Sequence, residues 1–254
     1  MMTAGPRTTN RSDLIASIAG RRPARNLHAQ VMHRLGTAIV GGTYPEDSIL
    51  PTDAELLQQL RVSRTVLREA LKTLAAKGLI EARARVGTRI LPRTRWNLFD
   101  ADVLAWHFET GPSVDFLRSL SEVRIGIELE SAALAAQRRS SAEAESLVEA
   151  ARQMAEATSA EAFARADLAF HRLVAQAAGN PFMASISALV EVALTAMFTI
   201  SSPVHDREQH AAAAQSHARI AAAIQSGDPD EAREAMRKVI SDGFARAAER
   251  MGRS

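Results

Sequence analysis

The chain of 254 residues has no cysteine. That excludes disulfides and thiolate chemistry and is compatible with a reducing cytoplasm. No apolar run approaches the roughly 20 residues that span a bilayer as a helix, and residues 1–26 lack the apolar stretch of a secretion signal. A soluble, cytoplasmic protein without a membrane partner is therefore expected. Strand-type alternation is scarce and no internal repeat is evident, so the fold is expected to be mostly α.

Hydrophobic residues make up 46% of the chain, enough for one large core or two modest ones. Two domains fit the charge distribution better. The formal net charge is only +2, yet 16 Lys and Arg stand against 7 Asp and Glu through Trp96, and 15 against 22 afterwards. Only the first part, near +9, suits a polyanion such as double-stranded DNA; the second, near −7, would repel phosphate.

Leu50 to Gly87 carries the signals of a winged helix-turn-helix in the required order. Thr52-Asp53-Ala54-Glu55 has the form of a capping box, so a helix should start at Asp53 and carry Leu56, Leu57 and Leu60 on one side. Its pattern stops at Arg61-Val62-Ser63, about the length of the turn in this motif, and Ser63 can cap a second helix. In that helix Val66, Ala70, Leu71, Leu74 and Ala75 recur at helical spacing, leaving Arg64, Thr65, Arg68 and Lys72 on the opposite face. A cationic face of this kind suits a major groove, where guanidinium groups fork onto guanine edges or phosphates. Gly78 should end the helix in a left-handed cap, and residues 80–84 and 88–91 read as two strands turning near Gly87 into a small basic wing. The candidate DNA contacts are Thr52, Ser63, Arg64, Thr65, Arg68, Lys72 and Gly87.

In chain order, residues 1–26 read as a mobile basic arm and residues 27–92 as the winged domain, which opens on a helix bearing Leu27, Val31, Leu35, Ala38 and Ile39. Residues 93–110 read as a linker and a short helix with Val103, Leu104 and Trp106, which taken alone could be a tryptophan-anchored hinge. Residues 111–254 read as an all-helical domain. Its helices open at Pro112-Ser113, at a second capping box Ser140-Ser141-Ala142-Glu143, at Ser159, after Gly179-Asn180-Pro181, near Asp206 and at Asp228-Pro229. Abundant alanine argues for close-packed antiparallel helices.

Asp167 and His171 stand at i and i+4 on one helical face, and His217 can join them only through tertiary packing. Such a pair on a helix is more often a hydrogen bond than a metal site. Arg124 stands four residues before Glu128, a spacing that allows an internal ion pair. His205 and His210 read as ordinary surface residues.

The run LPTDAELLQQLRVSRTVLREALKTLAAKGLIEARARVGTRIL resembles the DNA-binding domain of the GntR superfamily of bacterial transcription regulators. Two positions depart from its common pattern: Ala54 stands where many members carry a base-contacting Arg, and Val86 stands at a wing tip that is often basic. RTRWNLFDADVLAW is similar to a segment of the sugar-acid branch, including repressors that respond to galactonate. ADLAFHRLVAQAAGNPF and SHARIAAAIQSGDPDEAREAM resemble the all-helical FCD domain of the FadR branch. The resemblance implies a divalent metal such as Zn held by one Asp and three His. Asp167, His171 and His217 match three of those positions, while Val239 stands at the fourth and cannot coordinate. It also implies that Arg124 faces the carboxylate of an acid effector, with Asp167, His171 and His217 toward its hydroxyls.

The expectation is a homodimeric regulator, in action a repressor, that binds a DNA operator and responds to a small carboxylate effector such as an aldonate. The alternative is a metal-dependent enzyme acting on a sugar acid, for which no general base or nucleophile can be named.

Overall fold

A computed structural model describes residues 26–189, 195, 202–204 and 206–252. The basic arm, apart from Asn26, lies outside the described residues, as does His205. The chain divides into two compact units at Pro112, and ten helices are found among the described residues.

In the first unit α1 (Leu27–Val40) starts where the Asn26 side chain accepts from the Ala29 amide at 2.8 Å. Helix α2 (Asp53–Leu60) opens on the expected capping box: the Thr52 amide donates to Glu55 Oε2 at 2.7 Å and the Glu55 amide donates to Thr52 Oγ1 at 3.4 Å. A cap of this kind is worth about 1 kcal/mol because it satisfies amides that have no partner within the helix. Arg61 ends α2 in the left-handed region at φ 55°, and Ser63 caps α3 (Arg64–Ala76) by accepting from the Val66 amide.

Helix α3 buries Leu67, Ala70 and Leu74. Val66 and Leu71 are half-buried, and Ala75, expected on the inner face, is exposed. At about 100° per residue a face centred on Leu67, Ala70 and Leu74 turns Ala75 away from the core.

Gly78 takes φ 78° as expected, and a Cβ there would lie 2.2 Å from the Arg95 carbonyl oxygen. Only glycine fits both demands. Strands β1 (Ile80–Arg83) and β2 (Gly87–Ile90) then pair antiparallel, with Ile80 opposite Ile90 and Arg83 opposite Gly87. Ile49 adds a bridge to Arg89 on the other side of β2.

After one turn of 3-10 helix at Arg93–Arg95, α4 (Ala101–Glu109) is capped by Asp100, whose carboxylate accepts from the amides of Asp102 and Val103. Trp96 Nε1 donates to the Leu91 carbonyl at 2.9 Å, and the Trp106 ring lies over Gly36 of α1. Trp96, Val103 and Trp106 thereby join Val31, Leu35 and Ile39 in one core. Lys77, just past α3, closes this side of the unit: its Nζ lies 2.7 Å from Asp100 and 2.9 Å from Asp102. Burial alone would lower the Lys77 pKa, but hydrogen bonds to these two carboxylates outweigh it and raise it.

The second unit contains α5 (Val114–Arg138), α6 (Ser141–Ala155), α7 (Ala160–Ala177), α8 (Pro181–Leu189), α9 (Arg207–Ser226) and α10 (Pro229–Gly252). Ser113, Ser140, Ser159 and Asp206 cap α5, α6, α7 and α9 through their side chains, and Gly227 ends α9 at φ 79°. The helix expected to reach Ser201 is described as far as Leu189. Helix α5 lies against α7 and α10, α6 against α7 and α9, and α9 against α10, which closes a ring around an alanine-rich core. Small side chains let helix axes approach closely, and large ones such as Phe163, Phe170, Met154 and Met236 fill the centre. No helix of the described residues is long and apolar enough to cross a membrane.

Candidate DNA interface and candidate metal centre

The exposed face of α3 presents Arg64, Thr65, Arg68 and Lys72, with Ser63 exposed at its start and Gly87 at the wing. Lys72 shares its charge with Glu69 at 2.8 Å, so Arg64 and Arg68 are the stronger candidates for a polyanion. The Thr52 hydroxyl is exposed but occupied: it lies 2.8 Å from Glu55 Oε2 within the capping box. Val86 projects at the wing tip, 57% exposed, flanked by Arg83 and Arg85. Lys77 belongs to this stretch but is buried against Asp100 and Asp102, which removes it from any groove-facing set.

In the second unit, packing brings Asp167 and His171 of α7 to His217 of α9, and all three are buried. Asp167 Oδ1 lies 3.2 Å from His171 Nε2 and 3.1 Å from His217 Nε2. Phe170 meets both imidazoles edge-on and seals the cluster with apolar surface. His217 Nδ1 is 2.8 Å from the Ala213 carbonyl, which can only accept, so Nδ1 carries a proton and Nε2 turns to Asp167. Asp167 Oδ1, His217 Nε2 and both ring nitrogens of His171 approach one another or Glu128 closely, yet none of these atoms has an aligned hydrogen bond among the described residues. A carboxylate oxygen and imidazole nitrogens converging in a dry interior need a cation between them, either a proton or a metal.

Arg124 and Glu128 of α5 extend the cluster. Arg124 Nε donates to Glu128 Oε1 at 2.6 Å and Nη2 to Oε2 at 3.3 Å, and Glu128 Oε2 lies 2.5 Å from His171 Nδ1. Burial alone would raise the Glu128 pKa, but Arg124 and His171 outweigh it and hold the carboxyl down at about 2. Burial would likewise lower His171, but Glu128 and Asp167 push it up to about 9, while Asp167 itself is held well below the usual carboxylate range by the two histidines. In this state a protonated His171 and Arg124 together balance the two acids. A divalent ion would do the same through Asp167 Oδ1 and the Nε2 atoms of His171 and His217, and these donors suit one.

Val239, at the position where the resemblance expects a fourth ligand, is buried on α10 in the same core as Phe170 and Ala213. Arg124, which the resemblance turns toward an effector carboxylate, is paired with Glu128, as the i, i+4 spacing allows. The void beside Glu128, His171 and Met236 measures about 10 Å³, room for about one water. A groove of about 750 Å³ runs instead between α6 and α9 over Ala151, Ala214 and Ala218. It has Arg152, Arg207 and His210 among its lining residues, but lacks the buried, convergent polar groups that orient a small acid.

Sequence reasoning missed two participants. Glu128 enters as the bridge between Arg124 and His171, and half-buried Arg246 of α10 adds a second positive charge near Asp167. His210, expected on the surface, is half-buried, with Nε2 2.8 Å from the Met154 carbonyl.

Residues 27–90 match the bacterial regulatory proteins of the gntR family, and residues 119–242 match the FCD domain. The chain is 32% identical over 221 residues, 87% of its length and 96% of the relative's, to the galactonate operon transcriptional repressor of Escherichia coli. It is 30% identical to the HTH-type transcriptional repressor NanR of Cronobacter sakazakii over 92% of this chain and 91% of that one. Among solved structures it is similar in fold to Lar, which controls expression of the Listeria monocytogenes agr system, with a TM-score of 0.58 at 19% identity over 90% of this chain and 99% of that one. McbR/YncC of E. coli gives a TM-score of 0.51 at 18% identity, over 89% and 99%. These relatives are regulators rather than enzymes, which removes the enzymatic alternative. With its cationic recognition helix, its wing and its helical ring, the chain belongs to the GntR family of bacterial regulatory proteins and is a DNA-binding transcription regulator with an FCD domain.

Proposed function

We propose that this regulator is a cytoplasmic, homodimeric repressor that reads a two-fold operator and responds to a sugar acid, an aldonate such as galactonate, bound at a metal centre in its helical unit. The observation that carries the effector half is the buried convergence of Asp167, His171 and His217, with Arg124 one side chain away through Glu128. Asp167 Oδ1 and the two Nε2 atoms would hold a divalent ion such as zinc, which would supply Lewis acidity toward an α-hydroxy carboxylate. With Val239 in place of a fourth imidazole, coordination positions remain for that chelate. Arg124 would meet the carboxylate by sharing its donors between Glu128 and the ligand.

The galactonate repressor's similarity over nearly its whole length supports the acid class. A void of one water beside Glu128 means that a six-carbon acid enters only if the surrounding helices open. That opening is how occupancy would reach the reading heads, since a ligand shifts an equilibrium only by binding its two states differently. Two winged units are needed because one contacts too few base pairs for strong specificity.

Calorimetry with aldonates, fatty acids and amino acids, before and after chelation, tests the reading. The expected result is aldonate binding that chelation weakens and that releases operator DNA. Selective tight binding of a long apolar ligand, or undiminished aldonate affinity in Arg124→Ala, would overturn it.

A further inference from the structure

We propose that Glu128 is a positioning residue of the metal centre: it holds His171 by Nδ1 so that Nε2 is left to face the ion, and it ties that histidine to Arg124. The inference rests on reading Asp167, His171 and His217 as metal ligands. Glu128 is buried on α5, at the opposite edge of the His171 ring from Asp167. One of its oxygens lies 2.5 Å from Nδ1, while Asp167 Oδ1 lies 3.2 Å from Nε2.

Both carboxylates only accept, but Glu128 is the nearer, so in the neutral ring a proton on Nδ1 is favoured at the Glu128 edge and the Nε2 lone pair is left for an ion held with Asp167. Without Glu128 the neutral ring is free to place its proton on Nε2, where it would block coordination. The second imidazole needs no such partner from a side chain, because the Ala213 carbonyl fixes its Nδ1 at 2.8 Å. Each histidine thus has its outer nitrogen assigned by a separate acceptor, an arrangement that orients metal-bound imidazoles.

Arg124 fixes Glu128 in turn. Its Nε and Nη2 reach the two carboxylate oxygens at 2.6 and 3.3 Å, which sets the rotation of the carboxylate relative to the ring. A buried Arg–Glu pair contributes little to stability compared with apolar residues of the same volume, so stability gives a weak reason for three ionisable groups here. A positioning role gives a stronger one. It also makes Arg124 answerable to both ends of the site: an anion that draws the guanidinium away loosens the carboxylate that orients His171.

The test compares the wild type with Glu128→Gln and Glu128→Asp by chelator-competition titration of Zn(II), by Co(II) absorption, and by ¹⁵N signals of the labelled histidine rings in the metal-free protein at a pH high enough that the His171 ring is neutral. Loss of an outer carboxylate typically weakens metal binding by about 10–100-fold. That loss is expected for Glu128→Gln, together with a shift of the His171 ring toward the tautomer protonated at Nε2, and Glu128→Asp should recover part of both. Wild-type affinity and an unchanged His171 signal in Glu128→Gln would overturn the proposal while leaving the metal reading intact. A wild type that binds no metal would overturn both. If Glu128→Gln fails to fold, the double replacement Arg124→Met with Glu128→Met removes both charges together. The same loss of metal affinity in it supports the proposal, and wild-type affinity overturns it.

Discussion

The Trp106 ring occupies the space where a side chain on Gly36 would project: a Cβ at position 36 would stand 2.5 Å from Cε3 and Cζ3 of the indole. Helix α1 therefore carries glycine in its interior for a packing reason rather than a conformational one. Replacing glycine by alanine in a helix ordinarily adds up to about 1 kcal/mol. Here overpacking against a rigid, buried ring costs about 1–3 kcal/mol. Gly36→Ala should lower the stability of the winged unit in urea unfolding, and Gly36→Val should lower it further. A stabilised Gly36→Ala would show that the ring yields.

Arg64 and Arg68 should carry operator affinity. Replacing either by Ala is expected to cost about 1–3 kcal/mol if it reads a base, and to reduce the salt slope by about one if it meets a phosphate. Fluorescence anisotropy on an operator duplex at several salt concentrations separates the two outcomes. Lys77→Ala removes no groove contact but breaks the link to Asp100 and Asp102, so its effect should appear in stability and leave the salt slope unchanged.

His107 makes the winged unit acid-sensitive. Its ring packs against Trp96, and burial, helped by Arg93, lowers its pKa to about 4 from 6.5. The unfolded chain takes up this proton first, so the associated stability is present above pH 6.5 and is lost as the pH falls toward 4. The loss across that window should be on the order of 3 kcal/mol at most. A His107→Leu variant should show a flatter urea midpoint over the same window, and an unchanged pH profile would remove the assignment.

Val239→His would place an imidazole at the position where the family resemblance has a fourth ligand, and if the trio holds a metal the variant tests that position. Metal affinity should rise, and aldonate affinity should fall as the coordination positions fill. Paired titrations of zinc and galactonate on wild type and variant check the two directions together.

The fold was legible wherever the deciding contacts are local. Thr52 with Glu55 and Ser140 with Glu143 set helix starts within four residues, and both boxes are present where the sequence places them. The pairing of Asp167 with His171 was visible for the same reason, since one helical turn joins them. His217 was nameable only through the family pattern, because nothing within α9 points it at α7. Glu128 shows where the sequence fell short. Its spacing to Arg124 was evident, but its contact with His171 crosses 43 positions and depends on how α5 lies against α7. The inner face of α3 was misjudged by one position: including Ala75 and omitting Leu67 rotated the expected stripe off the observed one, an error that periodicity over 13 residues tolerates.

Trp106 also has a consequence for the order in which the molecule can be made. The core of the winged unit is not complete at the wing; it still needs Trp96, Val103 and Trp106. During synthesis at about 5–20 residues per second, the DNA-reading unit therefore stays open along α1 after its strands have emerged, until α4 clears the ribosome and Trp106 reaches Gly36. A nascent chain stopped just after Leu91 would carry every candidate DNA contact named above and lack the lid of its own core, so it should be degraded rather than compete for operators.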